Sequence, residues 1–110
     1  MSIHAKTILL VDDDTDLHTL VRSHLEMSGY RVLDAFSGEH ALDAVESRGL
    51  PHLALVDIYM PGMGGLEFCR RLQSFSDVPV IMLTAETDAD VIVGAIELYA
   101  EDSIPSPELR

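Results

Sequence analysis

Three uninterrupted apolar tetrads constrain this chain more than anything else in it: ILLV at Ile8 to Val11, LALV at Leu53 to Val56, and VIML at Val80 to Leu83. A strand with one wet face alternates apolar and polar residues. These runs do not alternate, so each needs cover on both faces, as in a parallel sheet between two helical layers. RVLDA, Arg31 to Ala35, reads as a further strand nearer an edge, and DSI, Asp102 to Ile104, as a short last one.

Helical patterns fill the gaps. Leu17, Leu20, Val21 and Leu25 are spaced for one helix face, with Gly29 at its stop. Ser37 is placed to cap a helix carrying Ala41, Leu42 and Val45 that ends near Gly49. Leu66, Cys69 and Leu72 mark a third helix after a Gly-rich loop. Thr87 or Asp88 caps a fourth, with Val91, Ala95 and Leu98 on one face; Ile92 and Ile96 read as core, or else as part of a partner-binding face. The order is βαβαβαβαβ. With right-handed crossovers this gives one α/β domain over residues 1–110, a doubly wound open parallel sheet.

Composition narrows the function classes. A net charge of −12 argues against direct nucleic-acid binding or an anionic membrane surface, and suits cations or basic partners. The single cysteine, Cys69, allows no internal disulfide and reads as a buried core thiol. No apolar run is long enough to span a bilayer, and the opening MSIHAK has no signal-peptide pattern, so the expected compartment is the cytoplasm. The five histidines form no metal-binding spacing and read as solvated or structural.

In an open α/β sheet, ligands bind beyond the carboxyl ends of the strands. Asp12, Asp13 and Asp14 follow the first apolar run, Asp57 follows LALV, and Thr84 and Ala85 follow VIML. Carboxylates from two strands and a hydroxyl from another therefore converge on one edge. Clustered carboxylates repel, and a hard divalent cation with oxygen ligands offsets that cost. A carboxylate can also act as a nucleophile toward phosphorus. The competing reading is purely structural: the aspartates after the first run cap a helix, and Asp57 starts a turn.

ILLVDDD, LALVDIYMPGMGGLEF and VPVIMLTA together resemble the bacterial two-component response-regulator receiver domain, over essentially the whole chain. The resemblance implies a flavodoxin-like five-stranded parallel sheet in the order 2-1-3-4-5. It implies that Asp57 is the phosphoacceptor for a sensor histidine kinase, with Mg2+ as cofactor. Asp13, Asp57 and the Tyr59 carbonyl would bind the metal directly, and Asp12 through water. Thr84 would contact the phosphoryl group, and Ala85 would leave room for it. Such a protein acts at most on its own phosphorylation and is not otherwise an enzyme.

Several positions depart from the family pattern. Gly64 stands where Asp or Asn usually caps the third helix. The family's lysine after the fifth strand is gone: SIPSPELR has Ser106 in its place, or has lost the KPF triplet. Lys6, the only lysine, opens the first strand about 20 Å from Asp12 at roughly 3.3 Å per residue. Ser103 replaces the switch aromatic, and Tyr99 a glycine before the last strand. The family's last helix, which packs beside the first, is expected to be missing. That leaves an apolar face open to a homodimer or domain swap, unless the tail is an incomplete or trimmed product.

Two other functions compete. One is a pseudo-receiver, an interaction module independent of phosphorylation, favoured by the lost lysine and aromatic. The other is a phosphatase of the haloacid-dehalogenase type with Asp12 as nucleophile, disfavoured by the missing later lysine and the short chain.

Overall fold

The computed structural model describes residues 6–84 and 87–103. Its element order is β1 (Thr7–Val11), α1 (Thr15–Met27), β2 (Arg31–Ala35), α2 (Gly38–Arg48), β3 (Leu53–Asp57), α3 (Gly65–Gln73), β4 (Val80–Leu83) and α4 (Ala89–Ser103). The strands form one sheet in the order β2-β1-β3-β4, with every pair parallel. Leu10 is in register with Asp34 and Leu55, and Asp57 with Leu83, so the four strands end along one edge.

The apolar tetrads work as their lack of alternation requires. Ile8 and Leu10 of β1 and Leu53 and Leu55 of β3 face one way, against Val21 and Leu25 of α1 and Ile92 and Ile96 of α4. Leu9, Val11, Ala54 and Val56 face the other way, against Ala41 and Val45 of α2 and Phe68 and Leu72 of α3. Each strand thus feeds two cores with successive residues, the period-two geometry of a pleated strand. The caps follow the sequence as well. Ser37 accepts the His40 N–H at 3.0 Å, and α2 stops at Gly49. Asp88 takes the cap left open between two residues, accepting the Val91 N–H at 3.0 Å.

Several expectations need correction. Among the described residues there are four strands, not five. Asp102 and Ser103, expected to begin a last strand, lie in α4 instead. The physical reason is the absence of a stop: between Gly94 and Pro105 the chain has no glycine, proline or asparagine. Ile104, Ser106 and the rest of the tail lie outside the described residues. The face beside α1 is not left open, because α4 packs on it. Association through a bare sheet there loses its premise.

Helix facing also differs from the apolar repeats. On α4 the buried positions include Ala89, Ile92 and Ile96, so the core reading of the two isoleucines holds, while Val91 and Leu98, expected on one helix face, are 59% and 64% exposed. On α3, Phe68 and Leu72 are buried, Leu66 is exposed, and Cys69 is half-buried rather than a core thiol. On α1, Leu20 is exposed and His18 is buried with Val21 and Leu25. Among the described residues, no helix is long and apolar enough to cross a membrane.

Candidate functional site

The β1–α1 loop begins where β1 leaves the sheet. The Asp12 N–H still donates to the Ala35 carbonyl of β2 at 3.1 Å. The Asp12 carboxylate then turns back to accept the Asp14 N–H at 2.9 Å, and Asp14 caps α1 by accepting the N–H groups of Asp16 and Leu17. So the three consecutive aspartates have different tasks. Asp12 is buried and points at the strand ends, Asp13 is exposed beside it, and Asp14 is spent on the helix.

Asp57 closes β3 and is 9% exposed. Its carboxylate accepts the Tyr59 N–H at 3.0 Å, which turns the chain sharply after the strand. The start of α3 comes back close against that turn. A Cβ on Gly65 would overlap the Asp57 carbonyl oxygen, so only glycine fits there. Gly64 is the N-cap, as expected, and supplies no side-chain bond.

Asp12, Asp13 and Asp57 each offer an oxygen within 4.8 Å of the others. They line a hollow of about 270 Å3 together with Asp14, Leu17, Tyr59, Thr84 and Thr87. Burial pushes the Asp12 carboxyl up from its ordinary value, and the charges of Asp57 and Asp13 push the same way against the Asp14 N–H bond. A divalent cation would relieve that crowding. The donors are all hard oxygens, the set that Mg2+ takes, so the residues present fit the metal that the resemblance implies.

Thr84 reaches the hollow from the end of β4, so the sheet brings together Asp12, Asp13, Asp57, Tyr59 and Thr84. Ala85 lies outside the described residues. Thr87 was read only as a possible helix cap. Instead its hydroxyl lies 3.1 Å from that of Thr84 and accepts the Thr84 N–H at 3.0 Å. The available signal was its spacing, one turn beyond a strand-end hydroxyl. Among the described residues no basic side chain lines the hollow, and Lys6 precedes β1, at the opposite end of that strand from Asp12.

A larger hollow of about 570 Å3 opens at the β2 edge, bordered by Arg22, Asp34, His40, Asp43 and Arg48. There Arg22 pairs with Asp34, and among the described residues no group of His, Cys, Asp or Glu converges at this hollow. Among the described residues, the carboxylates that converge line the smaller hollow.

Residues 8–108 match the family model described as the response regulator receiver domain. The chain is 41% identical over 108 residues to the probable transcriptional regulator ycf27 of Cyanophora paradoxa, covering 97% of this chain and 44% of that protein. It is 42% identical over 101 residues to the transcriptional regulatory protein CpxR of Escherichia coli (strain K12), covering 91% and 42%. It thus spans less than half the length of these curated relatives. Among solved structures, the response regulator protein TrrA from Thermotoga maritima, in complex with Mg2+-BeF, aligns with a TM-score of 0.67 at 36% identity, covering 74% of this chain and 71% of that one. With a model match across nearly the whole chain, and the α/β fold and acidic strand-end cluster in place, this chain belongs to the response regulator receiver domain family.

Proposed function

We propose that this chain is a phosphoacceptor receiver in which Asp57 takes a phosphoryl group from a sensor histidine kinase. The observation that carries this reading is the convergence of Asp12, Asp13 and Asp57 at the ends of two neighbouring strands, with the Thr84 hydroxyl on the rim. A free Asp57 oxygen attacks the phosphorus of a phosphohistidine, and a new O–P bond forms as the P–N bond breaks. The imidazole nitrogen keeps the electron pair and takes up a proton. Asp12, Asp13, Asp57 and the Tyr59 carbonyl would hold Mg2+, whose charge offsets that of the incoming phosphoryl oxygens. Thr84 donates its hydroxyl hydrogen to one of those oxygens, and the resemblance implies that Ala85, next in sequence, would leave room for the group.

The lining has no cation of its own among the described residues. Uptake is therefore slow compared with a receiver that carries the family's lysine, because one preorganised charge is missing from the place where negative charge gathers. The same feature favours, as the second reading, a phosphorylation-independent interaction module.

Intact mass after incubation with Mg2+ and a small phosphodonor separates the two. A gain of one phosphoryl group that disappears in Asp57→Asn supports the acceptor. No gain, under conditions that label an ordinary receiver, leaves the interaction module.

A further inference from the structure

His18 is the one histidine buried in this fold among the described residues, at 4% exposure, and the acceptor chemistry proposed above does not use it. It sits one turn into α1 on the same face as Val21 and Leu25. Its ring does not simply fill the core. Nε2 lies 2.7 Å from the backbone carbonyl oxygen of Asp12, and Nδ1 lies 2.7 Å from a carboxylate oxygen of Asp34 on β2. A carbonyl can only accept, so Nε2 carries the hydrogen of that bond.

The ring and its Asp34 partner are each held by a further neighbour. Phe36 lies against it with centroids 4.3 Å apart, and Arg22 pairs with the other oxygen of Asp34. Asp12 is consequently fixed through every group on its Cα. Its N–H is tied to Ala35 of β2, its carboxylate to the Asp14 N–H, and its carbonyl to His18. The carbonyl tether is the only one of the three that comes from a side chain outside the loop.

We propose that His18 is a positioning residue for the metal site: by fixing the Asp12 carbonyl from α1, it aims the Asp12 and Asp13 carboxylates at the point where Mg2+ would bind. This rests on the reading of the acidic cluster as a Mg2+ site. Partners one bond removed from a metal's own ligands typically change affinity by about 10- to 100-fold when lost, because the ligands must then be ordered at the moment of binding. A histidine that merely pins α1 to the sheet would change stability and leave affinity alone.

The test is the Mg2+ dissociation constant of the whole chain, by calorimetry at a temperature where each variant is folded, alongside the limiting rate of phosphoryl uptake at saturating Mg2+. His18→Leu removes both polar contacts and is expected to raise the dissociation constant about 10-fold, with the limiting rate nearly unchanged. His18→Gln carries an N–H the same number of bonds from Cα as Nε2 and is expected to restore most of the affinity. His18→Asn, one bond too short, is not. If His18→Leu proves too unstable to measure, the Gln and Asn pair carries the comparison. Unchanged affinity in His18→Leu, or equal loss in the Gln and Asn variants, overturns the inference. Asp12→Asn separates the two levels. Wild-type binding that Asp12→Asn weakens keeps the metal-site reading even if His18 fails. No Mg2+ binding by the wild type removes both.

Discussion

The hydroxyls of Thr84 and Thr87 lie 3.1 Å apart, and the Thr87 N–H closes the same turn on the Thr84 carbonyl at 3.1 Å. Thr84 can therefore accept from Thr87 while giving its own hydrogen to a phosphoryl oxygen, and the accepted bond polarises the donated one. Thr84→Val should slow Mg2+-dependent phosphoryl uptake about 10-fold or more, because it deletes the donor. Thr87→Val should slow it less, and should cost up to about 1 kcal/mol of stability, because the Thr84 N–H loses its hydroxyl acceptor while the backbone bond of the turn remains. Uptake followed by mass and unfolding followed in urea check the pair. Equal slowing by both variants would mean that Thr87 touches the phosphoryl group itself.

The acidic cluster predicts a pH dependence with a definite sign. Burial raises the Asp12 carboxyl, with the Asp57 and Asp13 charges adding to it. A carboxyl whose folded value lies above its unfolded value stabilises the protein in its protonated form. That contribution is present at acidic pH and is lost as pH rises through the raised value. In chelator-containing buffer at neutral pH, Asp12→Asn should therefore raise the melting temperature, since the amide oxygen can still accept the Asp14 N–H. The gain should shrink on acidification toward the ordinary carboxylate range. Added Mg2+ should reverse the order at neutral pH, stabilising the wild type more than the variant. Melting curves at two pH values, with and without Mg2+, decide it.

Gly64 and Gly65 are neighbours with opposite tolerances. A Cβ at Gly64 would come no nearer than 3.6 Å, to the Ile58 carbonyl, an ordinary contact. Gly64→Asn adds the missing cap of α3 and should stabilise by a few tenths of a kcal/mol. At Gly65 the Cβ would overlap the Asp57 carbonyl oxygen, and backbone must move. Gly65→Ala should cost about 1–3 kcal/mol, the usual range for overpacking, and should impair phosphoryl uptake because the atoms displaced belong to the acceptor. A Gly65→Ala protein with wild-type uptake and stability would contradict the close approach of α3 to Asp57.

How much of this was legible in the sequence depends on how many signals agreed at each place. β1, β3 and β4 were plain because a continuous apolar tetrad has few other uses, and β2 was read from the weaker run RVLDA. The acidic cluster was legible because Asp12, Asp13, Asp57 and Thr84 all follow strands that end on the same edge. Thr87 was not, since a loop hydroxyl before a helix reads equally well as a cap, and Asp88 took that task. His18 was read with the other histidines as solvated or structural, and its spacing to Val21 and Leu25, three and then four residues, is what selects the buried, structural case. The last strand at Asp102 failed because a run with one apolar residue, Ile104, cannot outweigh a helical stretch with no glycine, proline or asparagine between Gly94 and Pro105.

The facing of α4 gives the sharpest contrast between sequence pattern and structure. The apolar repeat at Val91, Ala95 and Leu98 is regular, yet the side chains that enter the core are Ile92 and Ile96, each 1% exposed. They meet Val21 and Leu25 of α1 above Leu83 of β4, so α4 lies over the sheet on the α1 side. Ile96→Ala should then cost about 2–5 kcal/mol, as buried aliphatic truncations do. Leu98→Ala, two residues away at 64% exposure, should stay within about 0.5 kcal/mol. Urea unfolding of the two variants measures the difference directly. A costly Leu98→Ala with a cheap Ile96→Ala would put the opposite face of α4 against the protein. It would also reopen the apolar surface beside α1 to a second copy.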